Sequence, residues 1–439
     1  MSTGLLILIL VVVAFLLIIF GVPVYASLGL AGTISLIALT VTKGAALSWI
    51  VIPSSIYNGA TAISLLAIPF YVFAGELMNK GGITKKLVAF AQLLIGRLPA
   101  SLAQANIVSS MFFGGITGSC QADTSCIGGL LIPAMVDEGY TPEEAVGVTI
   151  TSSTCGPIIP PSIMMVVFGV AVGCSIGGLF MAGVIPGLLI GFSLMATVLI
   201  RDRKHHFPRR RGGYTKEERR RIIKEGLLPL GMPIIVFGGI MGGVFTATEA
   251  GAAAVFYSLI VGLFITKNVK VKDLYPMLLK SATMSATVLL IIACAKIFSY
   301  ALATLQMSTI VANAILSLTN NKYVFLLLVN IVLLIMGMFM DGSAAVILLA
   351  PILMPVASAM GISTLHFGVI MVLNLIIGAG TPPLGACLFI GCKIADIPVE
   401  RGVKGALPYI ATELVVLLLV TYIPALCTWF PTVMGYAIG

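Results

Sequence analysis

Charged residues are scarce in this chain: they make up 9% of its 439 residues, whereas a soluble domain carries about 25%. That scarcity excludes a soluble globular protein, because there are too few polar side chains to cover such a surface. Intrinsic disorder is excluded as well, since it requires low hydrophobicity and high charge, whereas here 59% of the residues are hydrophobic and the mean hydropathy is +1.13. The composition predicts a polytopic membrane protein, with room for about ten or more spans of about 20 residues.

The sequence also has little of what catalysis and metal binding require. It contains three histidines and none of the H-E-x-x-H, G-x-S-x-G or P-loop patterns, so no enzymatic activity is expected. Its eight cysteines form no C-x-x-C pair and lie in apolar stretches, which favours small apolar filler over disulfides or a metal site. No Lys or Arg precedes the first apolar run, residues 5–20, so we expect a retained first span rather than a cleaved signal peptide.

The positive charges are unevenly distributed. The chain has 25 Lys and Arg against 16 Asp and Glu, a net charge of +9, and residues 201–225 alone hold 11 of the basic residues and 4 of the acidic ones. The positive-inside rule predicts that this segment is a cytoplasmic loop; binding of phospholipid headgroups is the alternative. Because the segment lacks interleaved aromatic residues, nucleic acid is not an expected partner.

Placing that loop in the cytoplasm constrains the remaining topology. The other connections rich in Lys and Arg, near residues 80–97, 267–272 and 393–404, fall on the same side only if the apolar runs 102–136 and 323–358 are re-entrant hairpins. The first hairpin would then enter from the cytoplasm and the second from outside, and both chain termini would lie outside.

An internal repeat supports this arrangement. An offset of 222 residues aligns 119–169 with 341–391 without a gap, and six of the eight identical positions are Gly or Pro, which mark backbone geometry rather than composition. Since the predicted topology starts the two copies on opposite sides, they form an inverted-topology repeat, in which secondary transporters place their binding sites near the midplane.

Each copy carries a proline pair inside an apolar run, at Pro160-Pro161 and at Pro382-Pro383. Proline lacks an N–H and clashes with the preceding turn, so neither run can be one unbroken helix. Such a break leaves carbonyl oxygens unpaired within the membrane, and Na⁺ is the cation that a transporter would bind there. A kink stabilised by neighbouring helices is the alternative.

Acidic residues within the apolar runs are further candidates for function, because ionisable groups in a membrane are costly. Asp123 would balance a bound cation or shape the substrate cavity, or else cap a helix at the hairpin tip. Asp341 is interpreted equally well as a helix cap or an ion ligand. We expect structural roles for the remaining charges: Glu249 in a capping pattern, and Glu76, Lys296 and Glu413 in pairs with other helices.

Seven stretches carry a family resemblance: residues 74–78, 81–83, 114–123, 156–161, 246–250, 340–355 and 378–385. Together they resemble the large permease subunit of the tripartite ATP-independent periplasmic (TRAP) transporters, within the ion transporter superfamily. The resemblance implies an elevator-type, Na⁺-coupled secondary active importer in the bacterial inner membrane, with no organic cofactor. It also implies two partners: a periplasmic substrate-binding protein that delivers an organic acid, and a small four-helix membrane subunit, as a separate chain, that braces the scaffold.

Carried over by motif, the resemblance implies two Na⁺ sites. The first would comprise Thr117, Ser119, Gly156, Ile159 and Pro161, and the second Gly337, Gly378, Thr381 and Leu384. Asp123 and Asp341 would contribute to substrate binding or coupling. One departure from the family pattern is Ala247, where proline is usual.

The expected fold is an all-α polytopic membrane protein, in which an elevator-type transport domain with two re-entrant helical hairpins and two broken helices moves against a scaffold. Its predicted parts are scaffold helices and an amphipathic arm (1–99), a first repeat half (100–200), the basic loop (201–226), further scaffold and arm helices (227–320), a second repeat half (321–404) and a C-terminal helix (405–439). Two hypotheses compete with this one: a standalone Na⁺- or H⁺-coupled dicarboxylate transporter that needs no partner, and a channel or scaffold without coupling to an ion gradient.

Overall fold

The computed structural model describes residues 12–13, 16–18, 20–43, 49–96, 98–208, 214–306, 310, 321–382 and 385–437. Within this part of the chain every regular element is a helix. Eight of these helices are long and apolar enough to cross a membrane, and the pair Val51–Ala60 and Ile63–Lys80, bent by 46°, adds a ninth crossing if it is one span. The chain is therefore a multi-span helical membrane protein. Most of the predicted first span, 5–20, lies outside the described residues.

Eighteen α-helices are numbered along the described residues. They are α1 (Val24–Lys43), α2 (Val51–Ala60), α3 (Ala67–Lys80), α4 (Ile83–Ile95), α5 (Ser101–Thr117), α6 (Cys120–Asp137), α7 (Pro142–Ser152), α8 (Ile163–Val172), α9 (Ile176–His205), α10 (Lys216–Met241), α11 (Ala247–Ile260), α12 (Val271–Thr304), α13 (Lys322–Phe339), α14 (Gly342–Ala359), α15 (Thr364–Gly380), α16 (Ala386–Ala395), α17 (Val399–Tyr422) and α18 (Ala425–Val433).

Helices α1–α4 and α10–α12 form one group, which we call the frame. The longest of them, α12, packs along α1, α2 and α3, while α10 packs against α4 and α11. Small residues permit the close approach, as is common between membrane helices: a Cβ on Gly32 would lie 2.9 Å from the Phe298 backbone nitrogen, and a Cβ on Gly59 would lie 2.8 Å from the Ala293 Cα.

Helices α5–α9 and α13–α18 form the second group, which we call the core module. Its two halves interlock: α6 of the first half packs against α16 of the second, and α14 of the second half packs against α8 of the first. Each hairpin therefore lies against the short helix that follows the other half's break. This interlocking brings the two breaks and the two hairpin tips into one region of the molecule.

The two halves of the core module run through the same order of helices. Helix α6 begins at Cys120 and α14 at Gly342, and α7 begins at Pro142 and α15 at Thr364, so each counterpart starts 222 residues later. The pairs α8 with α16 and α9 with α17 keep that spacing to within one residue. The repeated helix order thus extends beyond the aligned segments, while the opposite orientation of the halves stays a prediction.

The last long helix belongs to the core module rather than standing apart. Because α17 is the single helix Val399–Tyr422, the predicted boundary between residues 404 and 405 falls inside it. Backbone contact with α7 holds it there, since a Cβ on Gly405 would lie 2.0 Å from the Glu143 carbonyl oxygen. A contact this close leaves no room for a side chain at that position.

A buried ionic cluster adds to this contact. The Arg201 guanidinium on α9 donates to both carboxylate oxygens of Glu144 on α7, at 2.8 Å and 2.5 Å. The Tyr409 hydroxyl on α17 donates to the same carboxylate. The cluster joins three helices of the core module, and two-point pairing of this kind is the geometry that favours arginine.

The basic segment is mostly helical, which differs from the loop predicted for 201–226. Helix α9 continues to His205 and α10 starts at Lys216, so both ends of the segment extend the adjoining spans. A capping box explains the early start of α10: the Thr215 hydroxyl accepts from the Glu218 N–H at 3.2 Å, and the Glu218 carboxylate accepts from the Thr215 N–H at 2.9 Å. Residues 209–213, with three of the arginines, lie outside the described residues.

Candidate functional site

A cavity of about 140 Å³ lies where the core module meets the frame. Both hairpin tips, the first break and the end of α15 border it from the core module, and α3 and α12 border it from the frame. Its lining residues are Ile68, Val72, Gly118, Ser119, Cys120, Gln121, Pro157, Ile163, Met164, Met284, Val288, Asp341, Gly342, Ser343, Leu375, Ile376 and Ala379. The fold thus assembles one site from segments that lie more than 200 residues apart in sequence.

The first hairpin turns at a left-handed glycine. Gly118 has φ +60° and ends α5, and Ser119 starts α6 as its N-cap, with its hydroxyl accepting from the Ala122 N–H at 3.4 Å. A Cβ on Gly118 would lie 2.6 Å from the Pro161 carbonyl oxygen. The tip of the hairpin therefore touches the backbone of the first break.

Further backbone contacts bring the predicted members of the first Na⁺ site together. A Cβ on Gly114 would lie 2.5 Å from the Gly156 Cα, and a Cβ on Gly156 would lie 3.7 Å from the Ser119 carbonyl oxygen. Thr117, on the same turn, directs its hydroxyl to the Phe113 carbonyl at 3.4 Å, a long bond. These positions surround the break with carbonyl and hydroxyl oxygens.

Ile159 is placed differently from its neighbours in the predicted set. Its side chain packs toward α9, where a Cβ on Gly187 would lie 2.5 Å from the Ile159 Cγ1. The Ile159 N–H is bonded to the Cys155 carbonyl at 2.8 Å. Of the groups of Ile159, only the carbonyl oxygen could therefore coordinate a cation.

The second break repeats the backbone contact of the first. A Cβ on Gly337 of α13 would lie 3.1 Å from the Gly378 Cα, and a Cβ on Gly378 would lie 2.7 Å from the Gly337 Cα. The Thr381 hydroxyl donates to the Ile377 carbonyl at 2.6 Å. Gly337, Gly378 and Thr381 are thus brought together, while Leu384, the fourth predicted member, lies outside the described residues.

Asp123 lies behind the first hairpin tip, one turn into α6. Its side chain is fully buried, and among the described residues neither carboxylate oxygen has a hydrogen-bond partner. The hydroxyls of Ser110 and Ser153 lie beside it, so it faces the segment that leads into the first break. The capping interpretation of Asp123 is wrong, because Ser119 is the N-cap. Asp123 is also absent from the described lining of the cavity.

Asp341 occupies the tip of the second hairpin and lines the cavity. Its carboxylate accepts from the Ser343 N–H at 2.9 Å and from the Ala344 N–H at 3.4 Å. The cap interpretation of Asp341 is therefore confirmed. The bond to Ser343 engages one carboxylate oxygen, Oδ1.

Glu249, Glu76 and Glu413 have the structural partners expected of them, whereas the pairing of Lys296 stays a prediction. Glu249 forms a capping box with Thr246, with bonds of 2.8 Å and 3.3 Å. The Glu76 carboxylate lies 2.5 Å from the Lys280 Nζ on α12, and the Glu413 carboxylate lies 2.6 Å from the Thr154 hydroxyl. Structural pairing is thus confirmed for Glu76 and Glu413.

Lys296 lies on α12 against α2, with its Cγ 2.9 Å from the position of a Cβ on Gly59. It lies away from the described lining of the cavity.

A second, narrower cavity adjoins the first. It shares Val72, Ser119, Ile163 and Met284 with the first cavity and extends along α3 to Glu76 and Asn79. We call the two adjoining cavities, which lie between the first hairpin and the frame, the cleft. The ion pair of Glu76 with Lys280 lies at the margin of the cleft. Lys280 places a positive charge at this margin, and 60% of its side chain is exposed.

Sequence reasoning missed several residues of the site. Gln121, Met164 and Ser343 line the cavity, and Lys280 stands at the margin of its extension. Gln121 and Ser343 each lie two residues after a hairpin cap, so their distance from the tip could have identified them. The other two depend on contacts between distant segments, of α8 with α14 for Met164 and of α12 with α3 for Lys280, for which the sequence carries no local signal.

The chemistry of the site is that of backbone and hydroxyl oxygens. Among the described residues, no group of three or more His, Cys, Asp or Glu could hold a metal ion. A cation bound at either break would therefore depend mainly on carbonyl and hydroxyl oxygens, and at the first break also on the nearby Asp123. Oxygen ligands of this kind suit a hard cation such as Na⁺.

Comparison with known proteins agrees with this description. Residues 11–426 match the family described as "Tripartite ATP-independent periplasmic transporter, DctM component". The chain is 36% identical to the C4-dicarboxylate TRAP transporter large permease protein DctM of Pseudomonas aeruginosa, over 93% of this chain and 94% of the relative. It is 38% identical to the isethionate TRAP transporter permease protein DctMQ of Oleidesulfovibrio alaskensis, over 93% of this chain and 64% of that relative.

Solved structures include a transporter that is similar in fold. The crystal structure of the Alcanivorax borkumensis YdaH transporter matches with a TM-score of 0.58 at 17% identity, over 89% of each chain. At that identity the likeness supports the arrangement of helices and nothing about what is carried.

Proposed function

The chain belongs to the DctM-component family of tripartite ATP-independent periplasmic transporters, a family of transporter permeases rather than enzymes, and we propose that it is the large permease subunit of a Na⁺-coupled importer of organic anions. The observation that carries the proposal is the pairing of each hairpin with a break at one cavity: Gly114 against Gly156, and Gly337 against Gly378. This arrangement supplies two oxygen-rich breaks beside a space for a substrate.

Two Na⁺ ions are proposed to bind at the breaks. The first site uses oxygens of Thr117, Ser119, Gly156, Ile159 and Pro161, with Asp123 as the buried counter-charge. The second uses Gly337, Gly378, Thr381 and Leu384. In both, the ion would fasten a hairpin tip to a break, so Na⁺ binding would shape the cavity that both tips line. Coupling follows, because the substrate then binds a surface that the ions complete.

The proposed substrate class is a small organic anion that carries a carboxylate or sulfonate. The two relatives named above are permeases for C4-dicarboxylates and for isethionate, which are organic anions. The Gln121 amide and the Ser343 hydroxyl at the hairpin tips would donate hydrogen bonds to the anion, and Asp341 would contribute to coupling. Lys280, at the margin of the cleft, would supply the nearest positive charge from the frame.

The proposed motion is an elevator movement of the core module against the frame, with the two halves as inverted repeats. Interlocked halves and the buried cluster of Glu144, Arg201 and Tyr409 favour rigid-body movement of the core module. The cavity lies at the boundary between the two groups, so a movement there would carry the site with it.

Partners complete the proposed assembly. A periplasmic substrate-binding protein would deliver the anion, and a small four-helix membrane subunit would brace the frame. The protein would reside in the bacterial inner membrane, with the basic segment 201–226 in the cytoplasm near phospholipid headgroups. Exposed apolar side chains of α12, Leu278, Leu279 and Leu290, offer the frame a surface for lipid or for the small subunit.

Uptake into proteoliposomes tests the proposal. The permease, its small subunit and its binding protein are reconstituted, and uptake of labelled C4-dicarboxylate and isethionate is followed with an inward Na⁺ gradient. We expect uptake that stops when K⁺ replaces Na⁺ and when either partner is left out. Uptake that is equal in K⁺ contradicts the coupling; uptake without partners favours the standalone transporter; and flux with no gradient favours a channel.

A further inference from the structure

Glu413 is a second buried acid beside the first break, and the proposed transport cycle gives it no role. It lies on α17, is 0% exposed, and its Oε1 lies 2.6 Å from the Thr154 hydroxyl. Thr154 belongs to the short 3₁₀ turn Ser153–Cys155 that leads directly into Gly156. Among the described residues, the other carboxylate oxygen, Oε2, has no hydrogen-bond partner.

The hydrogen bonds around Thr154 decide where a proton must be. The Thr154 hydroxyl oxygen also lies 2.6 Å from the Thr151 carbonyl oxygen. A carbonyl can only accept, and a threonine hydroxyl has a single proton to donate. Both short contacts can be hydrogen bonds only if Thr154 donates to Thr151 and receives a proton from Glu413.

The surroundings of Glu413 favour the same protonation state. Among the described residues no Lys or Arg forms an ion pair with it. The thiols of Cys155 and Cys387 lie near it. A charged carboxylate with an unpaired oxygen is costly in such a place, whereas a neutral acid with one donated hydrogen bond is not.

Arg201, Tyr409 and His366, on or near the neighbouring helices, bond to groups other than Glu413. One turn away on α17, Tyr409 shares the Glu144 carboxylate with Arg201 of α9. On α15, the His366 ring bonds the Val420 carbonyl at 2.8 Å. Neither the Arg201 guanidinium nor the His366 ring is therefore available to Glu413.

We propose that Glu413 holds a proton and, as a neutral donor to Thr154, is a positioning residue that fixes the backbone entering the first break. The donated bond anchors the 3₁₀ turn to α17, and Gly156 follows that turn directly. The shape of the first cation site then depends on a hydrogen bond from outside the hairpin and the break. The effect on Na⁺ rests on the function proposed above, whereas the proton on Glu413 does not.

Infrared spectroscopy of the purified protein tests the proton directly. Protonated carboxyl groups give a carbonyl band that carboxylates lack, so the difference spectrum of wild type minus Glu413→Gln shows one such band lost at neutral pH. Glu249→Gln, at an exposed capping acid, serves as the matched control and shows no loss. An unchanged carboxylic band in Glu413→Gln overturns the proposal, whatever the protein transports.

The Na⁺ dependence of uptake tests the positioning role. Glu413→Gln keeps a donor of the same size, so its half-saturating Na⁺ concentration stays within about twofold of wild type. Glu413→Leu removes the donor, so Thr154 keeps its bond to the Thr151 carbonyl but loses its link to α17. We expect this loss to raise that concentration about five- to tenfold, with a smaller change in maximal rate. Equal effects of the two variants, or an unchanged Na⁺ dependence in Glu413→Leu, overturn the role.

Thermal unfolding confirms that Glu413→Gln is folded before it is compared. If wild-type uptake proves independent of Na⁺, the proposed coupling fails, and the infrared result still decides the proton.

Discussion

The two breaks of the core module share a backbone plan and differ in the side chains behind it. Buried acids, Asp123 and Glu413, stand behind the first break, whereas the positions 222 residues away hold Ala345 and Gly191. The helix caps at the two hairpin tips also differ: the first tip has Ser119, and the equivalent position of the second has Asp341.

Two buried amides, Asn330 and Asn374, bond to each other in the second half. The Asn374 side chain donates to the Asn330 carbonyl and to its side-chain oxygen, both at 2.9 Å, and Asn330 donates to Thr421 at 3.0 Å. The two breaks therefore have the same backbone geometry but different electrostatic surroundings. Asp123 is buried behind the first break, whereas Asp341 at the second is engaged as a helix cap. If Asp123 carries the counter-charge proposed above, the first Na⁺ should bind more tightly than the second.

Removal of the Asp123 carboxylate should erase this difference and have the largest effect. Taking one partner from a buried charge pair costs roughly 3 kcal/mol, so Asp123→Ala should weaken the first Na⁺ site more than about 100-fold and abolish Na⁺-driven uptake. Uptake in proteoliposomes measures it, with membrane insertion checked by size-exclusion chromatography. Wild-type uptake by Asp123→Ala would mean that the charge is only structural.

Adding a methyl group at one hairpin–break contact should weaken only the Na⁺ site at that break. The effect should be smaller than that of Asp123→Ala. Gly114→Ala would force a Cβ to 2.5 Å from the Gly156 Cα, and Gly337→Ala would bring one to 2.6 Å from the Leu375 carbonyl oxygen. Overpacking costs about 1–3 kcal/mol, so each variant should unfold at a lower temperature and lose affinity at its own Na⁺ site.

Gly129 offers the matched control for these substitutions. It lies on α6, and a Cβ there would have no neighbour within 4 Å. Gly129→Ala should therefore leave thermal unfolding and Na⁺ dependence unchanged. Equal losses in all three variants would show that the close contacts are not specific to the breaks.

Substitution of Lys280 should weaken binding of the organic anion and leave the Na⁺ affinities of both breaks unchanged. The pair of Lys280 with Glu76 is partly exposed, and such pairs contribute about 0.2–1 kcal/mol. Lys280→Gln should raise the KM for the organic anion about two- to fivefold, with Na⁺ dependence unchanged, and Lys280→Arg should restore it. A shift in Na⁺ dependence of similar size would place Lys280 in the cation machinery.

The sequence predicted the turns at the hairpin tips and the breaks because glycine and proline restrict the backbone locally, while the re-entrant course of the hairpins stays a prediction. Gly118 ends a helix in a left-handed conformation, and the residues around Pro160 and Pro161 cannot continue one. The burial of Asp123 followed from its place in an apolar run. These features depend on residues that are close in the chain.

Features that depend on distant contacts could not be predicted in the same way. The sequence around Gly405 does not indicate that it packs on the Glu143 backbone. Likewise, the sequence around Arg201 does not indicate that its side chain binds Glu144. The same holds for the bond of Glu413 to Thr154, which joins residues on α17 and in the first half. The Thr215–Glu218 capping box is local, and its pattern could have been recognised.

Direct measurement of Na⁺ binding to the purified chain tests the central claim most directly. Isothermal titration of wild type and Asp123→Ala, with K⁺ in the reference buffer, counts the sites and their affinities. We predict two Na⁺ per wild-type chain, the tighter lost in Asp123→Ala and the weaker retained. No Na⁺ binding in wild type, or both sites retained in Asp123→Ala, would contradict it.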